Sequence, residues 1–452
     1  MNGKAGGNRG PRRAGALAVV AAAAMLTACS AVHVSAGSGS SGGAAPATAS
    51  PPGAAATDCL ALASPCYTPH QLRVAYGIQP LLDRGITGRG QTVVLLEFPP
   101  AAAGPATDIR QDLARFDGMF GLPAAQLQVV NTLAHKASPW LASGEEVEDT
   151  EIVHAVAPDA AIREVLIPSL DTASTGVVTA AFLAALRLGL TQGAVISLSD
   201  DAGEQCFPPA AVAQGSLILQ AAQRDRVTVV FSSGDAGAAI DACPGAGTGS
   251  AMVKGVNWPA SDPLALAVGG TSLLASRATG AYISETAWNI PAAAGGSAPV
   301  ASGGGFSRLF PRPAYQDGIV GIGATRGVPD VAADADPGTG MALAFSGGSE
   351  GNFLTGAGGT SAAAPLWAAV IALAGQYAGR PLGFVNPALY QIGHSAFYHQ
   401  AFHDVTTGTN TVQFPTKTIV GYQAAPGWDP VTGWGSPNAQ VLVPLLARYA
   451  VP

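Results

Sequence analysis

Short apolar runs rich in β-branched residues alternate with longer helix-forming stretches beyond about residue 66, and this alternation constrains the fold more than any other feature of the chain. The runs are "QTVVLLEF" (91–98), "IREVLIP" (162–168), "AVISLS" (194–199) and "VTVVFSSGD" (227–235). Each has the length and β-branched content of a strand buried on both faces. Between them, "STGVVTAAFLAALRLGL" (174–190) and "AAVAQGSLILQAAQRDR" (210–226) read as helices. This order predicts an α/β fold, a mostly parallel sheet with helices on both faces and right-handed crossovers. Sites in such folds lie beyond the carboxyl ends of the strands. Two runs end on acids there: Glu97 closes the first and Asp235 the fourth.

With 452 residues, 48% hydrophobic and 11% charged, the chain can bury one enlarged domain, expected over residues 58–452. A net charge of -7 and no basic stripe argue against a nucleic-acid partner. Residues 1–28 read as an export signal: "MNGKAGGNRGPRR" is positive and "AGALAVVAAAAMLTA" is apolar but too short for a stable span. "LTAC" (26–29) resembles a bacterial lipoprotein box, whose cleavage leaves Cys29 as a lipid-bearing N-terminus. The expected location is the extracellular face of the cell membrane. Residues 29–57, almost entirely Ala, Gly, Ser, Pro and Thr, form a flexible linker. Cys59, Cys66, Cys206 and Cys243 remain, an even number in an exported chain. Three pairings are open; the short spacing of Cys59 and Cys66 favours a local loop, leaving Cys206 with Cys243. Neither pair has the spacing of a zinc site.

"GGTSAAAP" (358–365) places Ser361 at the start of an alanine-rich apolar helix, where exposed amides and the helix dipole favour developing negative charge. A serine hydroxyl needs a positioned base to become a nucleophile. None of the seven histidines sits in a sequence suited to that task, so a carboxylate is the candidate. "SGEEVEDTEIVHAVAPDAAI" (143–162) supplies it: Glu145 and Asp149 are four residues apart and share one face of a helix. One would accept the serine proton while the other tunes it through a shared proton. Asp235, in "SSGDAGA", would when protonated donate a hydrogen bond to an oxyanion. A rival reading uses His154 as the base, paired with Asp149.

These segments, in this order, resemble the sedolisins, the serine-carboxyl peptidases, and their kumamolisin-like members in particular. The resemblance covers about residues 66–452 and extends through "NWPASDPLALAVGGTSL" (257–273), "SETAWN" (284–289), "SGGGFSRLFPRPAYQ" (302–316) and "GVPDVAADADPGTG" (327–340). It implies a subtilisin-like fold, with Ser361 as nucleophile, Glu145 as base and then acid, Asp149 as its partner and Asp235 as oxyanion donor. Glu145 rather than Glu146 follows from the four-residue spacing to Asp149. Glu97 takes a supporting place in the carboxylate network. "FHDVTTGTN" (402–410) and "AAPGWDPVTGWGSPN" (424–438) are similar to the family's calcium site. The implied ligands of one structural Ca2+ are Asp404, Asp429 and the carbonyls of Val405, Ala425 and Gly427, hard oxygens of the kind calcium prefers.

Two departures stand out. Asp200, in "SLSDDAGEQC", occupies the place of an aromatic residue beside the carboxylates, and no stretch long enough for the family's large propeptide separates the linker from the domain. The resulting expectation is an exported, lipid-anchored, monomeric endopeptidase that cuts polypeptides at acidic pH through an acyl-enzyme, with substrate extended near Ser302–Gly305. The alternative is a catalytically silent surface lipoprotein that binds through the same scaffold.

Overall fold

The computed structural model describes residues 66–98, 107–131, 140–142, 144–167, 175–190, 195–200, 202–243, 252–292, 298–346 and 352–450. The signal and linker, with Cys29 and Cys59, lie outside the described residues.

Among the described residues, eight strands form the central sheet: β1 (Thr92–Glu97), β2 (Gln126–Asn131), β3 (Ala161–Leu166), β4 (Val195–Leu198), β5 (Thr228–Ser232), β6 (Leu266–Ala275), β7 (Tyr282–Ala287) and β8 (Val331–Asp334). Their order is β7-β6-β5-β4-β1-β3-β2, with β8 also paired to β6. Every pairing is parallel except that of β6 with β7. The four strands read from apolar runs are β1, β3, β4 and β5. The other four were not read as strands, because polar residues alternate in β2 and β7, while glycine and alanine dilute β6 and β8.

The strands sort their side chains by parity, as a period of two requires. Val93, Leu95, Val195 and Val230 enter one core cluster with α1 (Gly144–Val156) and α4 (Gly359–Ala378). Val94, Leu96, Ile196, Val229 and Phe231 enter the other, with α2 (Thr175–Gly189) and α3 (Pro209–Asp225). The sheet is therefore covered on both faces. Helix α4 is apolar and long enough to cross a membrane, yet its residues Ala362–Gly375 are all buried in the protein. Burial of its larger side chains, such as Leu366, Trp367, Val370, Ile371 and Leu373, contributes roughly 1.5–3 kcal/mol each as an upper estimate. Trp367 also donates its indole N–H to the Ala332 carbonyl at 2.8 Å, fixing α4 to β8.

Chain progress reverses between β1 and β4: after β1 the chain first fills one side, with β2 at the edge and β3 between it and β1, and then builds outward on the other. Such a switch leaves a crevice at the carboxyl ends. Glu97 ends β1, Ser199 directly follows β4, and Asp235 lies three residues beyond β5. Cys206 and Cys243 form a disulfide with Cα atoms 4.9 Å apart. Cys66 is also disulfide-bonded.

Candidate active site

Helix α1 begins with two acids in its first turn, where the dipole favours negative charge. Its spacing stacks Glu145, Glu148 and Asp149 on one face. Asp149 is fully buried; its Oδ2 accepts the Ser199 hydroxyl at 2.8 Å, and its carboxyl is hydrogen-bonded to that of Glu97. Two carboxyls in contact must share a proton, so the pair titrates as a unit. Burial raises Asp149 to about 7 against the lowering effect of the Ser199 and Glu97 bonds. Glu97 is pushed well above the carboxylate range by burial and then by Asp149, Glu146, Glu145 and Glu164.

Ser361 is the third residue of α4. Its hydroxyl donates to the Ser199 carbonyl oxygen at 3.2 Å and faces Glu145, whose ionised form it favours. The Ser199 hydroxyl approaches the Ser361 carbonyl at 3.3 Å in return. Glu145 is lifted well above its ordinary value by burial, then by Asp149 and Glu148, while the Ser361 hydroxyl acts the other way.

Asp235 reaches the same turn from β5. Its Oδ1 accepts both the Thr360 amide at 2.7 Å and the Thr360 hydroxyl at 2.8 Å. The Thr360 hydroxyl in turn accepts the Gly234 amide at 3.1 Å, which fixes its direction. With Oδ1 committed as acceptor, a proton on this acid belongs on Oδ2. That oxygen faces Gly359, where a Cβ would sit only 2.7 Å away and φ is +80°, so only glycine fits. Burial raises the Asp235 pKa and the two Thr360 bonds lower it.

The structure thus brings Ser361, Glu145, Asp149, Asp235 and Glu97 together from four separate segments. Ser199, Thr360 and Glu148 were missed in the sequence. Glu148 could have been found from its i+3 spacing to Glu145; nothing local marks the other two. Asp200 follows Ser199 and is half-buried. The histidine alternative is overturned: fully buried His154 points its Nε2 at the Pro123 carbonyl, 2.8 Å away, and the Asp117 carboxylate, 2.9 Å away. Ser302–Gly305, the segment expected to face substrate, is buried, with Gly304 and Gly305 at the wall of a small pocket formed with Phe306 and Tyr422. Gly303 donates to the Gly234 carbonyl at 2.7 Å, and a Cβ on it would meet Ser233 O at 2.2 Å. Gly303 thus serves close packing beneath the Asp235 loop, while Gly304 packs against Pro430.

The C-terminal loops bring Asp404 and Asp429 to the turn at residues 425–427. Asp429 is buried and accepts the amides of Val431 and Thr432 at 2.8 and 2.9 Å, with Ala425 N and Thr432 Oγ1 each at 3.1 Å. Asp404 accepts the Gly427 amide at 3.1 Å. Neither acid is ion-paired to a basic side chain among the described residues. Burial pushes Asp429 up to about 6. Both acids thus face the 425–427 turn, with no basic side chain paired to either among the described residues.

No protein-family model matches the sequence. Kumamolisin from Bacillus sp. (strain MN-32) is 34% identical over 382 residues, 82% of this chain and 62% of that protein. Sedolisin from Pseudomonas sp. (strain 101) is 30% identical over 347 residues, 74% of this chain and 54% of that protein. The chain thus spans somewhat more than half the length of each. The solved structure of Pseudomonas sedolisin, a serine-carboxyl proteinase, complexed with pseudo-iodotyrostatin superposes with a TM-score of 0.70 at 26% identity, over 86% of this chain and all of that one. By shared sequence across most of its length and by the same subtilisin-like sheet and helices, this chain is a member of the sedolisin family.

Proposed function

We propose that the protein is an exported serine-type endopeptidase, a serine-carboxyl peptidase that hydrolyses polypeptides at acidic pH through an acyl-enzyme. The observation that carries this reading is the Ser361 hydroxyl facing Glu145 beside an Asp235 whose second oxygen is free to carry a proton. Ionised Glu145 takes the Ser361 proton as Oγ attacks the substrate carbonyl. Asp235 Oδ2–H donates to the resulting oxyanion, together with the amide of Ser361, which the helix cannot satisfy internally. Collapse of the intermediate expels the amine, which receives the proton from Glu145. Water, deprotonated by the same carboxylate, then releases the acyl group and regenerates Ser361. Asp149, held by Ser199 and Glu97, spreads and positions the charge on Glu145.

Asp404, Asp429 and the carbonyls of Val405, Ala425 and Gly427 would hold one Ca2+, which supplies a structural cross-link between the two loops. Lipidation at Cys29 would anchor a monomeric enzyme at the membrane. Casein hydrolysis from about pH 3 to about pH 8 tests the reading, with a bell-shaped profile expected on the acid side of neutrality. Ser361→Ala should abolish turnover and leave the melting temperature nearly unchanged. Undiminished hydrolysis by that variant, or a profile peaking above neutrality, refutes the mechanism.

A further inference from the structure

The nucleophile's turn is soft by composition. Gly358 and Gly359 precede Thr360 and Ser361, and the cap position of α4, Gly358, has no side chain with which to hold a first-turn amide. The amides are held from outside instead. Gly359 N donates to the Ala335 carbonyl at 2.8 Å and Thr360 N to Asp235 Oδ1 at 2.7 Å, both tying the turn to the sheet. Gly358 N donates to Glu148 Oε2 at 3.3 Å. Among the hydrogen bonds described for these three amides, this one alone reaches α1, the helix that carries Glu145.

We propose that Glu148 is a positioning residue that ties the nucleophile's turn to the helix bearing its base. The inference rests on the peptidase reading above and adds a residue to it. Glu145 and Asp149 face Glu148 from its own helix, and Asp235 faces it from the loop after β5. All three are acids. Their charges and burial favour the neutral acid at Glu148, whose carbonyl-type oxygen can accept the Gly358 amide. A glutamine has the same shape and the same acceptor, which separates positioning from proton transfer.

The experiment compares wild type, Glu148→Gln, Glu148→Ala and Glu145→Gln by steady-state kinetics and by amide hydrogen exchange of the segment around residues 355–362, with melting curves as a check on folding. Glu148→Ala should lose about tenfold in kcat with KM within about twofold, the size of one lost hydrogen bond expressed in the transition state. Its 355–362 segment should exchange about tenfold faster. Glu148→Gln should restore kcat to within about threefold of wild type and restore the protection. Wild-type kcat and exchange in Glu148→Ala overturn the inference. So does a Glu148→Gln as inactive as Glu145→Gln, which would make Glu148 a reacting acid. A wild-type protein without hydrolytic activity refutes the peptidase reading; the exchange data then decide the positioning role by themselves.

Discussion

Replacing Thr360 with valine removes one of the two donors that hold Asp235 while keeping nearly the same side-chain shape. The amide of residue 360 still reaches Oδ1 at 2.7 Å, but the hydroxyl donor at 2.8 Å is gone. Hydrogen bonds to an ionised acceptor are worth about 1 to 1.5 kcal/mol more than those to a neutral one. At about 1.4 kcal/mol per pKa unit, losing one raises the Asp235 pKa by roughly one unit. The sign follows from the bond's present effect, which lowers that pKa. Because the protonated acid is the oxyanion donor, the alkaline limb of kcat/KM against pH should move upward by roughly one unit. Gly234 N loses its acceptor at the same time, which costs roughly 1–3 kcal/mol of stability and lowers the melting temperature. The assay is kcat/KM for a chromogenic peptide across the acid range, below the variant's melting temperature. An alkaline limb that stays in place or moves downward refutes the assignment of Asp235 to that limb.

Other perturbations read out separate parts of the molecule. Glu145→Gln should lower kcat by about 10²–10⁴-fold with little change in KM, checked by single-turnover measurements. Buried Glu151 accepts the Ala344 amide at 2.9 Å, and burial raises its pKa well above the unfolded value. Its contribution to stability is therefore fully present below the unfolded pKa and is lost as pH rises through the folded one. Glu151→Gln should match wild type in acid and become more stable than it above neutrality, as denaturation curves at both pH values would show. If Ca2+ occupies the C-terminal loops, chelation should lower the melting temperature of wild type, and Asp429→Ala should abolish that difference as well as some intrinsic stability.

Much of the scaffold was legible because burial imposes a period on local sequence. The runs at 91–98 and 194–199 came out as β1 and β4 within a residue or two of their ends, and 174–190 came out as α2. The shared face of Glu145 and Asp149 was likewise visible, since a turn of helix is short and its spacing survives in the sequence. What escaped notice is informative. Strand β6 carries Gly269 and Gly270 where Trp288, Ala335 and Pro329 crowd the backbone, so its own composition argues weakly for a strand. Glu148 looks like one acid among several in an exposed helix start until α4 covers it.

By itself, then, the amino-acid sequence determined the alternating strands and helices, the parallel class of sheet and the chemical types available for catalysis, because each depends on neighbours a few residues apart. Only the tertiary structure decided which acids lose their water. It brings residues 97, 145–149, 199, 235 and 360–361 to one crevice, sends His154 to Asp117, and packs Gly303 beneath the Asp235 loop. The physical reason is that desolvation and carboxyl–carboxyl contact are properties of long-range packing, and the pKa of each acid follows from that packing rather than from its neighbours in the chain.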